Sequence, residues 1–178
     1  MHPGLNTSIH GKVTDDEWFS RREDVDLFLD AVDLSGLRIY CPCDSNSSAF
    51  VQYMTDHNLD FYAGTDMWDQ TKYDECGIVI TNPPFHGCSA YLNFLRSIRK
   101  PFILIFPILG ALNQHPKGFA TTLFMWGDVT KFIGPNGDTR LSRCRWVTSF
   151  HDPRHPCFEV DCTVTERQKK KFEAKLHI

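Results

Sequence analysis

The apolar run Cys76-Gly77-Ile78-Val79-Ile80-Thr81 ends abruptly in Asn82-Pro83-Pro84-Phe85, and few folds accommodate that order. A β-branched run of this kind reads as a buried parallel strand, and two successive prolines stop it by removing two backbone donors and stiffening the chain. Such a strand delivers Asn82 to the carboxyl edge of a sheet, where open α/β folds hold their ligands. A planar primary amine would find two acceptors there. One is the Asn82 side-chain carbonyl; the other is the Pro83 backbone carbonyl, whose direction Pro84 fixes. Phe85 would lie against the ring that carries the amine. The competing reading is a plain strand-end turn, which Asn-Pro commonly starts. His86 is either a substrate contact or a cap for the helix that follows.

The flanking pattern predicts an α/β sandwich built on a mostly parallel, twisted sheet with an antiparallel edge and helices packed on it. Ser20 followed by Glu23 has the form of a capping box, and Val25, Leu27, Phe28, Leu29 and Val32 make an apolar stripe, which predicts a helix from Arg21 to Asp33. Leu37–Cys41 is the first strand, Ser47 or Ser48 starts a second helix bearing Phe50, Val51 and Met54, and Asp60–Ala63 is a short second strand. After Asn82, a helix is expected over His86–Lys100 with Tyr91, Leu92, Leu95 and Ile98 inward. Phe102–Phe106 is another apolar strand, Gly118–Trp126 a helix, and Val129–Ile133 a strand. Arg145–Phe150 and Phe158–Cys162 are expected to pair as antiparallel strands across the turn His151–Pro156. Residues 1–14 read as a flexible tail and residues 15–178 as one domain.

At 178 residues, 42% hydrophobic and 23% charged, the composition is that of a globular domain. No run approaches the roughly 20 apolar residues that cross a bilayer, and the first residues lack the apolar core of a signal peptide, so a cytoplasmic location without membrane association is expected. Seven cysteines without regular spacing suit a reducing compartment. Cys144, His151, His155, Cys157 and Cys162 are ligand types that zinc accepts, but without paired spacing, and no metal is assigned. The net charge of −3 conceals a strong asymmetry. Residues 1–75 carry 15 acids and 5 bases, net −10, whereas residues 76–178 carry 7 acids and 14 bases, net +7. The acidic part suits a cationic cofactor, and Arg140, Arg143, Arg145 and Arg154 suit phosphates. Lys169–Lys171 belongs to a run, Arg167–Lys175, that also reads as the solvated face of a C-terminal helix.

The segment after the first strand, Cys41-Pro42-Cys43-Asp44-Ser45, occupies the nucleotide-binding position of a Rossmann-like fold but lacks the glycines of a dinucleotide fingerprint, which argues against nicotinamide or flavin. Asp44 places a carboxylate there that suits a ligand bearing an ammonium and a sulfonium; alternatively Asp44 and the serines simply cap the next helix. At the end of the second strand Asp66 stands where such folds hold ribose hydroxyls, with a turn role and the neighbouring Asp69 as competing assignments.

With these residues in order, the chain resembles the EcoRI-type family of adenine-specific DNA methyltransferases. The resemblance rests on DEWFS at Asp16–Ser20, IYCPCDSNSSAFVQYM at Ile39–Met54, IVITNPPF at Ile78–Phe85, and RWVTSF at Arg145–Phe150. It implies a Rossmann-like class I methyltransferase fold, S-adenosylmethionine as cofactor, and transfer of a methyl group to the N6 amine of a flipped adenine in DNA. By position, Trp18, Phe19 and Ser20 would flank the methionine end of the cofactor, Cys41, Pro42, Cys43, Asp44 and Ser45 would form its loop, and Asp66 would take its ribose. Asn82, Pro83, Pro84 and Phe85 would hold the adenine. The NPPF motif also serves methylation of RNA and of protein amides, and a non-catalytic binding module on the same fold is a third reading. No more than 28 residues follow Phe150, too few for a separate target-recognition domain. Recognition would therefore come from Arg140–Arg154 and loops such as Pro135–Asp138, or from a partner or second subunit. Economy of length suggests a phage or mobile-element setting in a bacterial cell.

Overall fold

The computed structural model describes residues 19–64, 66–107, 123–134, 137–150 and 158–160. The expected tail, Trp18, the turn His151–Pro156, Arg154, His155, Cys157, Cys162 and the run Arg167–Lys175 lie outside them. The elements are β1 (Phe19–Ser20), α1 (Arg22–Leu29), β2 (Ile39–Cys41), α2 (Ala49–Asp56), β3 (Phe61–Ala63), α3 (Gln70–Glu75), β4 (Ile78–Thr81), α4 (Cys88–Ser97), β5 (Phe102–Pro107), β6 (Leu123–Ile133), β7 (Thr139–Thr148) and β8 (Phe158–Val160). They form a mixed α/β structure on one eight-stranded sheet, ordered β1-β6-β7-β5-β4-β2-β3, with β8 also paired to β6. β3, β2, β4 and β5 are mutually parallel, and β7 joins β5 and β6 in the antiparallel sense.

Period-two alternation puts a core on each face of this sheet. Ile39, Cys41, Ile78, Ile80, Ile103, Ile105, Cys144 and Trp146 face one way and pack with Val25 and Leu29 of α1 and Phe50 and Met54 of α2. Tyr40, Val79, Phe102, Leu104, Phe106 and Val147 face the other way and pack with Tyr73 of α3 and Tyr91, Leu92 and Leu95 of α4. The expected helices on both faces are therefore present. Trp146 is a core residue: Phe28 stacks on it at 4.2 Å, and Phe50 meets it edge-on at 5.8 Å.

Several local expectations are corrected. Ser20 does not cap α1. It is held extended by pairing with Phe132, and the helix starts one residue later from Arg21 without a side-chain cap. α1 ends at Leu29 rather than Asp33, because Ala31 and Val32 donate to Phe28 and Leu29 in tight three-residue turns. Leu123–Trp126 is strand, not helix, since β6 pairs through it with both β7 and β8. Phe158–Val160 pairs with β6 rather than with Arg145–Phe150, because both edges of β7 are already taken by β5 and β6. α4 is shorter than His86–Lys100, its N-cap being Gly87 at φ 90, a left-handed turn natural to glycine.

The second helix starts as expected. The Ser48 side chain accepts from the Val51 amide at 3.2 Å. Ser48→Ala is expected to lower stability by about 1 kcal/mol in urea denaturation.

Candidate functional site

Chain direction reverses its course at β2: the next strand, β3, lies on one side of it, whereas β4 and β5 extend the sheet on the other. This is a topological switch point, and the loops that leave the carboxyl ends of β2 and β4 flank its crevice. They are the two segments singled out above, Cys41–Ser45 and Asn82–Phe85. Pairing of Tyr40 with Val79 sets β2 and β4 level, so the two loops emerge side by side.

Asp44 joins them. Its carboxylate is buried, with the residue 4% exposed, and accepts from the Thr81 hydroxyl at 2.5 Å, from the Ser48 side chain and from the Asn82 backbone N–H. Thr81 Oγ1 in turn accepts from the Cys43 amide at 3.2 Å. One carboxylate thus ties the loop after β2, the start of α2 and the end of β4 into a single unit. The side chain turns inward and satisfies donors that would otherwise be buried alone, including the Ser48 side chain at the start of α2. Burial lifts its pKa from 3.8 to about 6, against the hydrogen bonds from Thr81, Ser48 and Asn82 that pull it down. Burial likewise pushes the Cys41 and Cys43 thiols up, with Asp44 adding to the effect, so neither is poised as a thiolate nucleophile.

Pro42 and Pro83 are buried, Pro84 and Ser45 are exposed, and Asn82 is intermediate. Asn82 Oδ1 accepts no hydrogen bond from the described residues, while the backbone N–H of the same residue is engaged by Asp44. Phe85 packs on the α1/α2 core and meets Phe132 of β6 edge-on, with ring centroids 5.4 Å apart. Through that contact the Asn82 loop reaches β1, since Phe132 is the strand partner of Ser20. Ser20 is buried, and its hydroxyl has no partner among the described residues; Phe19 beside it is exposed.

Asp66 is exposed beyond the end of β3. Its Oδ1 accepts from the Trp68 amide at 2.9 Å, the geometry of an Asx turn. The loop around it is pinned from below: the Tyr40 hydroxyl donates to the Asp66 carbonyl at 2.9 Å and the Tyr73 hydroxyl to the Met67 carbonyl at 2.7 Å. Asp69, the rival candidate, is the N-cap of α3 and accepts from the Thr71 amide at 3.1 Å. Sequence reasoning missed Thr81, Tyr40 and Tyr73. For Thr81 a signal existed, a hydroxyl closing an otherwise aliphatic strand.

The basic candidates lie at the same edge. β7 runs against β5, so its first half, with Cys144 opposite Pro107 and Thr139 opposite Ile133, sits at the carboxyl ends of β5 and β6. Arg143 is exposed and Arg145 half-buried; Arg140 is the register partner of Phe132. Among the described residues no group of three or more His, Cys, Asp and Glu side chains could hold a metal ion, and no helix is long and apolar enough to cross a membrane. Comparison with protein-family profiles, with curated protein sequences and with solved structures returns no match.

Proposed function

We propose that the chain is a Rossmann-like class I methyltransferase that uses S-adenosylmethionine to methylate the N6 amine of adenine in DNA. The observation that carries this reading is the junction at the switch point, where Asp44 locks the Cys41–Ser45 loop to the strand end that presents Asn82. Sheet order agrees with it: a parallel half that reverses beside β2 leaves one crevice at the carboxyl edge, bordered by both motifs.

The residues present suit the cofactor. Exposed Ser45 and Asp66 offer polar groups to its amino-acid and ribose ends, and the buried Ser20 hydroxyl is a group of the kind a ligand satisfies. When bound, S-adenosylmethionine supplies an electrophilic methyl on a sulfonium. Everything else is the work of the chain. Asn82 and the Pro83 carbonyl accept the two hydrogens of the adenine amine, which draws its nitrogen out of the ring plane and aims its lone pair. Methylation makes the remaining proton acidic, so these neutral acceptors suffice to guide it to water and no strong base is required. Phe85, braced by Phe132, offers a wall for the flipped base and offsets part of the few kcal/mol that unstacking costs.

Calorimetric titration with S-adenosylmethionine is expected to show one site, and Ser20→Ala should weaken it roughly fivefold, the worth of one hydrogen bond. A wild-type protein that binds no S-adenosylmethionine overturns the proposal.

A further inference from the structure

Toward the carboxyl edge of the sheet, the described side chains of β1, β6 and β7 are buried on one face and exposed on the other. Ser20, Phe132, Cys144 and Trp146 point into the core shared with α1 and α2. Of the alternate positions, which point the other way, Phe19, Lys131, Ile133, Thr139 and Arg143 are exposed and Arg145 is half-buried, while Val147, farther along β7, is buried in the α3/α4 core. Phe19 at 43% and Ile133 at 38% are two of the few large apolar side chains left in solvent among the described residues. Strand register puts Phe19, Ile133 and Thr139 in one row across the three strands, at the carboxyl edge of the sheet. Lys131 stands one step behind it on β6, and Arg143 two steps behind it on β7. An exposed apolar row backed by Lys131 and Arg143, with Asp128 of β6 set opposite Arg145 by register, is not how a sheet face solvates itself.

We infer that this bare face is the surface on which DNA lies, Lys131 and Arg143 taking phosphates while Phe19 and Ile133 contact base or sugar next to the target. The inference rests on the reading above and adds where the substrate is held. Charge complementarity selects the occupant, since Lys131 and Arg143 are exposed on this face in a chain whose net charge is negative. Distance agrees. β6 is three strands from β4 in the sheet order, roughly 14 Å at the usual strand spacing, which is roughly four base pairs at about 3.4 Å per step. A duplex whose adenine enters beside Asn82 therefore has phosphates over this face.

The test is fluorescence anisotropy with a labelled adenine-containing duplex, without cofactor, over a range of salt. K131E/R143E is expected to weaken binding at least tenfold at low salt and to flatten the log K against log salt slope by about two. Phe19→Ala is expected to lower affinity severalfold with the slope unchanged. S-adenosylmethionine affinity should stay at the wild-type value in K131E/R143E, which shows that the fold and the cofactor site survive. Wild-type DNA affinity in K131E/R143E overturns the inference. So does sedimentation showing that the same variant dissociates a dimer, because the face would then belong to a second copy. The wider reading fails differently, through absence of methyl transfer by a wild-type protein whose DNA binding still depends on Lys131 and Arg143.

Discussion

Asn82→Ala is expected to lower methyl transfer by about 10²- to 10³-fold, the usual cost of removing one preorganised polar group from a reacting centre. The substitution deletes the side-chain acceptor and leaves the backbone N–H that Asp44 accepts. The junction between the two loops therefore persists, and stability should stay within about 1 kcal/mol of wild type. S-adenosylmethionine affinity should be unchanged too, because the cofactor loop is held by Thr81 and Asp44 rather than by the Asn82 side chain. Kinetics and denaturation on the same preparation decide it. An alanine variant with more than a tenth of wild-type turnover removes Asn82 from the assigned role.

Asp44→Ala should produce the opposite profile, a defect in positioning whose stability cost depends on pH. Truncation strips an acceptor from the Thr81 hydroxyl, the Ser48 side chain and the Asn82 amide together, and buried donors left alone cost about 1–3 kcal/mol apiece before relaxation. Turnover is expected to fall about 10²-fold, because a shift of about 1 Å at Asn82 is enough to do so. The pH dependence follows from the raised pKa of about 6 against 3.8. Between those values the folded protein holds the proton more tightly than the unfolded chain does. Stability contributed by Asp44 is thus greatest in acid, declines as pH rises through the window, and levels off above about pH 6 at roughly 3 kcal/mol below its acid limit. Asp44→Asn, which does not ionise, should lack that decline. Urea denaturation of wild type and Asp44→Asn between pH 4 and pH 7.5 measures the difference, and parallel profiles contradict a buried, ionising Asp44.

What the residues disclose before folding is uneven, and the reasons are physical. β4 and β5 are legible because strands buried on both faces must be apolar at every position, as Ile78–Ile80 and Phe102–Phe106 are. The Ser48 cap is legible because it is local chemistry. β1 has two residues, and nothing near Phe19 and Ser20 demands a strand; pairing with β6 alone makes it one. The first half of β7 hides for a related reason. Exposed Arg143 and half-buried Arg145 alternate with inward residues, Cys144 and Trp146, in a pattern visible only when one face is known to be covered. α3 is six residues long and depends on the Asp69 cap.

Asp44 marks the same limit within the site. That a carboxylate belongs in the loop after β2 could be read from the order of residues, but the direction it faces could not. It turns inward because Thr81 and the Asn82 amide are level with it across the β2–β4 pair, a long-range register that no local pattern encodes. The basic residues of β7 are similar. Their charge is plain in the sequence, yet only the antiparallel register shows that they come to the edge that carries Asn82.

The central claim, methyl transfer to adenine N6 in DNA, is tested most directly by incubating the protein with tritiated S-adenosylmethionine and unmodified duplex plasmid, with RNA and protein acceptors in parallel, and digesting the products to nucleosides. The account predicts label in N6-methyldeoxyadenosine from the plasmid, lost with Asn82→Ala. Label confined to RNA or protein, label on another base, or no label from a protein that binds the cofactor contradicts it.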